Sequence, residues 1–197
     1  MAVSWGSASS AVAAVTFLGV LGYSALEQRA FLVEASPYQA ARLGFQLDPF
    51  PESIAVAKYI EEHTAQGDRF AVLGSEPQIY FYADRLSATG FIYTYGLMEN
   101  QKYATRMQHD MIREIEEARP EYMVLVNVKS SWLATPTSDR TIVDWIGTYA
   151  RSYHRVGVVD IISAASTVYV CDDQAADYGI RSPDYLLVLK RNAVAER

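Results

Sequence analysis

Carboxylates are the abundant reactive side chains of this sequence, and three of them, Glu76, Asp84 and Glu99, fall within or just after the stretch Arg69–Gly96. Two carboxylates do acid–base chemistry only when held about 5–10 Å apart in environments that split their pKa values. Position along the chain does not define such a pair here. Glu76 precedes a predicted helix, whose dipole favours the ionised form. That suits an acceptor of hydrogen bonds rather than a general acid. Asp84 beside Arg85 reads as a surface pair. No Ser–His–Asp order, G-x-S-x-G elbow or P-loop is present. His63, His109 and His154 lie far apart without ligand spacing, so no metal site is expected. Cys171 is the single cysteine and cannot form an internal disulfide. Within Val168-Tyr169-Val170-Cys171 it reads as a small buried hydrophobe. No cofactor is expected.

Two short loops offer binding chemistry instead. Ser75 and Glu76 follow Gly74 at the end of the apolar run Phe70–Leu73. In open α/β sheets ligands sit outside the carboxyl ends of the strands. The candidate site there is Ser75 and Glu76, backed by Tyr80, Tyr82, Tyr93 and Tyr95. The competing reading is a capped helix start with aromatic packing on both sides, since the loop lacks G-x-G-x-x-G spacing. Lys129 and Trp132 follow the continuous apolar run Tyr122–Val128. Lys129 offers a cation to an anionic group and Trp132 a stacking surface; an exposed loop anchor fits the same residues.

The elements that must position these loops read as follows. Phe70–Leu73 is a buried strand stopped by glycine. Ser75-Glu76-Pro77 starts a helix to about Ala83, with Ser75 or Glu76 accepting from its free N–H groups and Pro77 in its first turn. Thr89–Tyr95 is a second strand, so the stretch begins a βαβ unit. A helix over Glu52–Thr64 precedes it, after the turn Asp48–Pro51. Asn100–Ala118 is the clearest helix, with Ala104, Met107, Met111, Ile115 and Ala118 forming a core stripe and Asp110 within reach of Arg113. Tyr122–Val128 should be a central strand buried on both faces. A helix over Asp139–Tyr153 and strands at Val156–Ile162, Thr167–Cys171 and Tyr185–Leu189 complete the chain. The last strands lack intervening helices and predict an antiparallel meander at one edge. The fold class is therefore α/β, a Rossmann-like three-layer sandwich with a mostly parallel sheet and an antiparallel edge, preceded by a hydrophobic N-terminal helix.

The string LGSEPQIYFYADRLSATGFIYTY, with Asp48-Pro49-Phe50-Pro51-Glu52 before it and Met98-Glu99 after it, resembles the soluble C-terminal domain of polyprenyl-phosphate-dependent membrane glycosyltransferases. These are the multi-spanning C-type enzymes related to the dolichyl-phosphate-mannose protein mannosyltransferases. Ala118-Arg119-Pro120-Glu121-Tyr122 is similar to the same domain, so the resemblance covers about residues 45–130. It implies an accessory, non-catalytic domain on the extracytoplasmic side, because the family's acidic catalytic residues lie in loops of a membrane portion this sequence does not contain. It also implies a polyprenyl-phosphate sugar donor, a lipid, glycan or protein acceptor, and the membrane portion itself as partner. The family's enzymes are much longer, so this chain alone should transfer no sugar. The alternative is a self-contained small-ligand-binding α/β protein or enzyme with its site at the Gly74–Glu76 loop.

Composition narrows the rest. The 197 residues, half of them apolar, suit one domain with an appendage, and the net charge of -6 without a basic patch argues against nucleic acid. The first 26 residues carry no charged side chain. Trp5–Leu26 gives about 22 residues, enough to cross a hydrocarbon core of about 30 Å. It has no basic start, as a signal peptide would, and its Ala, Gly and Ser content suits close helix packing. The reading is a transmembrane helix at 1–26, with a buried or interfacial helix as the alternative. A helical connector at 27–47 broken at Pro37, an α/β domain at 48–191 and a frayed tail at 192–197 follow.

Overall fold

The computed structural model describes residues 5–193, with side chains from residue 9 onward. Residues 194–197 of the expected tail, and 1–4 of the expected span, lie outside the described residues. The chain divides into two compact units, Met1–Gly44 and Phe45–Arg197.

In the first unit, α1 runs Trp5–Glu27. Its segment Ser9–Glu27 has mean hydropathy 1.6, is long and apolar enough to cross a membrane, and has none of its residues buried. An apolar helix without a polar face has no preferred side to turn to a soluble core. A single wide turn, Ala30–Glu34, follows, and then α2, Pro37–Phe45. Pro37 opens α2 because its missing N–H costs nothing in the first turn.

The second unit opens with α3, Phe50–His63, and β1, Arg69–Leu73. Then come α4 (Gln78–Ala83), β2 (Leu86–Ser87), α5 (Tyr95–Met98) and α6 (Ala104–Ala118). β3 (Tyr122–Asn127), α7 (Lys129–Trp132) and α8 (Thr141–Tyr149) follow. β4 (Tyr153–Ser163), β5 (Ser166–Cys171), α9 (Asp173–Asp177) and β6 (Tyr185–Arg191) complete it.

Six strands form one sheet in the order β2-β1-β3-β6-β4-β5. β1 pairs in parallel with β2 and with β3, whereas β3–β6, β4–β6 and β4–β5 are antiparallel. The sheet is thus mixed, not mostly parallel. No crossover helix of useful length links β4, β5 and β6, so those strands pair antiparallel. They do not form a simple meander either, because β6 inserts between β3 and β4.

Alternate residues along the strands feed two cores. Phe70, Val72, Val124 and Val126 pack with Val56 and Ile60 of α3 and Ile79 of α4. Ala71, Leu73 and Met123 pack on the other face with Met111 and Ile115 of α6 and Ile142 of α8. Period-two alternation is what puts helices on both faces. The stripe of α6 buries Ala104, Met111 and Ile115 but leaves Ala118 exposed, and it adds a buried Gln108. That amide accepts from Ile142 N at 2.7 Å and donates to the Leu97 carbonyl at 2.8 Å, tying α6 to α8 and α5.

Three local expectations are corrected. Thr89–Tyr95 is not a strand: Phe91–Thr94 is irregular and α5 starts at Tyr95. The residues have strand composition, but Thr94 N is drawn to the Ser75 hydroxyl at 2.9 Å rather than into a ladder. Cys171 is exposed, not buried, because β5 is the edge strand. Asp84 and Arg85 do not form a surface pair: the Arg85 guanidinium donates to the carbonyls of Glu61, Thr64, Ala83 and Asp84. It thereby closes the C-terminus of α3, whose carbonyls lack helical partners.

Candidate functional site

The first candidate loop sits where β1 ends. Gly74 has φ +153°, and a Cβ there would lie 2.7 Å from Ser131 Oγ and 2.8 Å from Val126 Cβ. The chain needs glycine at this point because β1 and β3 run side by side and the turn out of β1 passes directly over β3. The next residue is fixed from three sides. Ser75 N donates to Ser131 Oγ at 2.8 Å and to the Ser131 carbonyl at 3.1 Å. Ser75 Oγ accepts from Thr94 N at 2.9 Å and lies 2.9 Å from Thr94 Oγ1, which donates to the Ser131 carbonyl at 3.0 Å. Ser75, Thr94 and Ser131 are all buried. The serine therefore does not cap α4, which has no side-chain cap; its oxygen is taken up in joining three segments.

Glu76 is also buried, at 4% exposure. Its carboxylate accepts from Gln78 Nε2, and that amide also donates to Ser53 Oγ at 3.0 Å. Burial raises the carboxyl from its ordinary 4.5 to about 7; hydrogen bonds from Gln78 and Ser131 pull it down, and the Asp48 charge pushes it up slightly. The dipole argument from sequence favours the ionised form, but loss of solvation outweighs it here. α4 has only six residues, so its dipole is small.

The tyrosines separate. Tyr80 is a core residue whose hydroxyl accepts Val72 N at 2.6 Å, and burial lifts it to about 12. Tyr95 is half-buried and meets Tyr93 edge-on at 4.8 Å. Its hydroxyl is raised by burial, then by Tyr93, Glu76 and Asp48 in that order. Glu76, Asp48 and Tyr95 therefore share one electrostatic neighbourhood, and Tyr80 faces away from it into the sheet.

The second candidate loop opens on a cleft of about 470 Å³ at the end of β3. Leu125, Val143 and Ile146 give it an apolar lining, Trp132 one wall, and Asn127, Lys129 and Asp184 its polar groups. The indole is fixed by donating to the Val126 carbonyl at 2.8 Å. The opposite wall is the segment before β6. Asn127 Nδ2 donates to the Pro183 carbonyl at 2.7 Å. Asp160, fully buried in β4, accepts from Arg181 N at 2.9 Å, Ser182 N at 3.0 Å and the Tyr178 hydroxyl at 2.9 Å. A buried carboxyl group is tolerable when it is bonded this fully. Here it gives the segment a single shape.

The sequence-predicted residues thus fall into two groups. Ser75, Glu76 and Tyr95 meet at the first corner, Lys129 and Trp132 line the cleft, and Tyr80 belongs to neither. Thr94, Ser131, Gln78, Asn127, Asp160 and Asp184 were not foreseen. Asp160 carried a readable signal, a carboxylate inside the apolar run Val158–Ile162; the others meet their partners only through long-range packing. Among the described residues no group of histidines, cysteines or carboxylates could hold a metal ion. No protein-family model, curated protein or solved structure matches the chain.

Proposed function

We propose that the chain is an accessory, non-catalytic extracytoplasmic domain of a membrane glycosyltransferase that uses a polyprenyl-phosphate sugar donor. Its α/β unit is read here as a Rossmann-like module that stands beside the catalytic membrane portion, shaping the acceptor entrance or holding the enzyme's fold. One observation carries the reading: an exposed apolar helix of membrane-crossing length precedes an α/β unit whose buried strand-end corner ties its polar groups to one another. A reacting centre needs a nucleophile or base within reach of a substrate atom. The buried oxygens of Ser75, Thr94 and Ser131 have protein partners instead. The string Leu73–Tyr95 supports the choice of enzyme class by its resemblance.

The test is reconstitution in lipid vesicles with a polyprenyl-phosphate sugar and acceptor. The chain alone gives no transfer, and adding it to the catalytic membrane portion raises that portion's rate. An unchanged rate in the mixture contradicts the accessory role.

A second reading, a self-contained small-ligand binder, is favoured by the cleft at Lys129 and Trp132. A thermal-shift screen of small carboxylates and phosphate esters tests it. A rise in Tm that Lys129→Ala abolishes supports binding there, and no rise across the screen counts against it.

A further inference from the structure

The cleft at the end of β3 has a narrower chemistry than a general small-ligand site. Leu125, Asn127 and Lys129 are alternate residues of β3 and its continuation, and Val128 between the last two stays extended, with φ -124°. Alternate residues of an extended chain share one face. Leu125 packs in the core that holds Ile142 and Ile146 of α8. Asn127 and Lys129 therefore stand on the α8 side of the sheet, where Val143 and Ile146 also line the cleft.

The polar groups there are unequal. The Asn127 amide is engaged with the Pro183 carbonyl at 2.7 Å, and the Trp132 N–H with the Val126 carbonyl at 2.8 Å. Lys129 is exposed and has no ion pair among the described residues. It is the one cation at the cleft, and no arginine lines it. Asp184 is the one carboxylate there. It falls out of phase with the row that ends in Lys129, because it precedes Tyr185, the ladder partner of Asn127.

A ligand that fits is mostly apolar and brings one negative charge to one ammonium. A phosphate ester carries about two negative charges near neutral pH and is recognised by several donors or an arginine fork. Here its second charge would meet Asp184 and apolar walls, where an unpaired charge is costly. A cationic ligand would meet Lys129. The far wall is built in advance: Asp160 holds Tyr178, Arg181 and Ser182, and Asn127 holds Pro183. Little ordering is left for binding to supply.

We infer that this cleft binds a small organic monocarboxylate with an apolar body, its carboxylate paired with Lys129 Nζ. The inference rests on the second, small-ligand reading and names the ligand class.

The test uses the full chain in lipid nanodiscs, labelled with fluorotryptophan and followed by fluorine NMR. The Trp132 signal is assigned by its loss in Trp132→Phe. The probes share one ring and differ in charge: phenylacetate, phenylacetamide, phenyl phosphate and phenethylamine. Phenylacetate should move the Trp132 signal saturably, with a Kd on the order of tenfold below that of each other probe. Lys129→Gln should remove that advantage and Lys129→Arg should keep it; Lys129 is exposed, so neither disturbs the core. Another probe binding as tightly as phenylacetate overturns the carboxylate class and leaves the small-ligand reading standing. Equal affinity for phenylacetate in the wild type and Lys129→Gln overturns the pairing. No movement with any probe overturns the inference and the small-ligand reading together.

Discussion

The two loops at the carboxyl ends of β1 and β3 resemble each other in sequence, each a small polar run after an apolar strand, but they differ in what their side chains do. After β1, Ser75 and Glu76 are buried and bonded to Thr94, Ser131 and Gln78. After β3, Lys129 is exposed, and together with Asp184 and Asn127 it lines a cleft of about 470 Å³. Place in the topology marks where a site can form. Whether one forms depends on whether neighbouring segments use up the polar groups. The loop before α5 folds over the first corner and closes it, and the segment held by Asp160 stands back from the second.

Substitutions can break this contrast. The largest effect is expected from Gly74→Ala, which sets a Cβ against Ser131 and Val126 at a φ that favours glycine. The loss should be about 3 kcal/mol in denaturant titration, from overpacking and backbone strain together. A loss below about 1 kcal/mol would mean that the corner yields, contrary to the close packing described.

Glu76→Gln sharpens the comparison through pH. The folded carboxyl, near 7, lies above its ordinary 4.5. The folded state therefore holds a proton that the unfolded state releases between those values. Its contribution is fully present below about pH 4.5 and is lost as pH rises through about 7, on the order of 3 kcal/mol at most. Tm followed over that window should fall in the wild type more than in Glu76→Gln. Parallel curves would place the carboxylate in contact with water.

Ser75→Ala removes the acceptor of the Thr94 N–H and should cost about 1–2 kcal/mol. Lys129→Ala, in the open cleft, should change stability by no more than about 0.5 kcal/mol. Equal effects at the two positions would erase the distinction between a closed corner and an open one.

The parts of this architecture that follow local rules were legible in the sequence. The apolar runs Phe70–Leu73 and Tyr122–Val128 form strands, the second ending at Asn127, and the three-and-four spacing of Ala104, Met107, Met111 and Ile115 marks the inward face of α6, with Ala118 left exposed. The apolar N-terminal helix was equally plain. The loop Phe91–Thr94 was not, because its residue types suit a strand and only Ser75, distant in sequence, draws its backbone away. The insertion of β6 between β3 and β4 was hidden for the same reason: strand order is decided by pairing across the whole unit. At the site, Glu76 was found for its position, but the dipole argument gave the wrong direction for its carboxyl, since the burial that raises it cannot be read from neighbours in the chain. Cys171 was misplaced because an edge strand and a central one look alike in composition.

The proposed role is one in which the α/β unit positions and does not react. Its most direct measurement is sugar release and transfer by the full chain in vesicles supplied with radiolabelled polyprenyl-phosphate sugar, followed to many times the protein concentration. The account predicts counts no higher than in protein-free vesicles. Sustained turnover that disappears in Glu76→Gln while the fold is retained would contradict it.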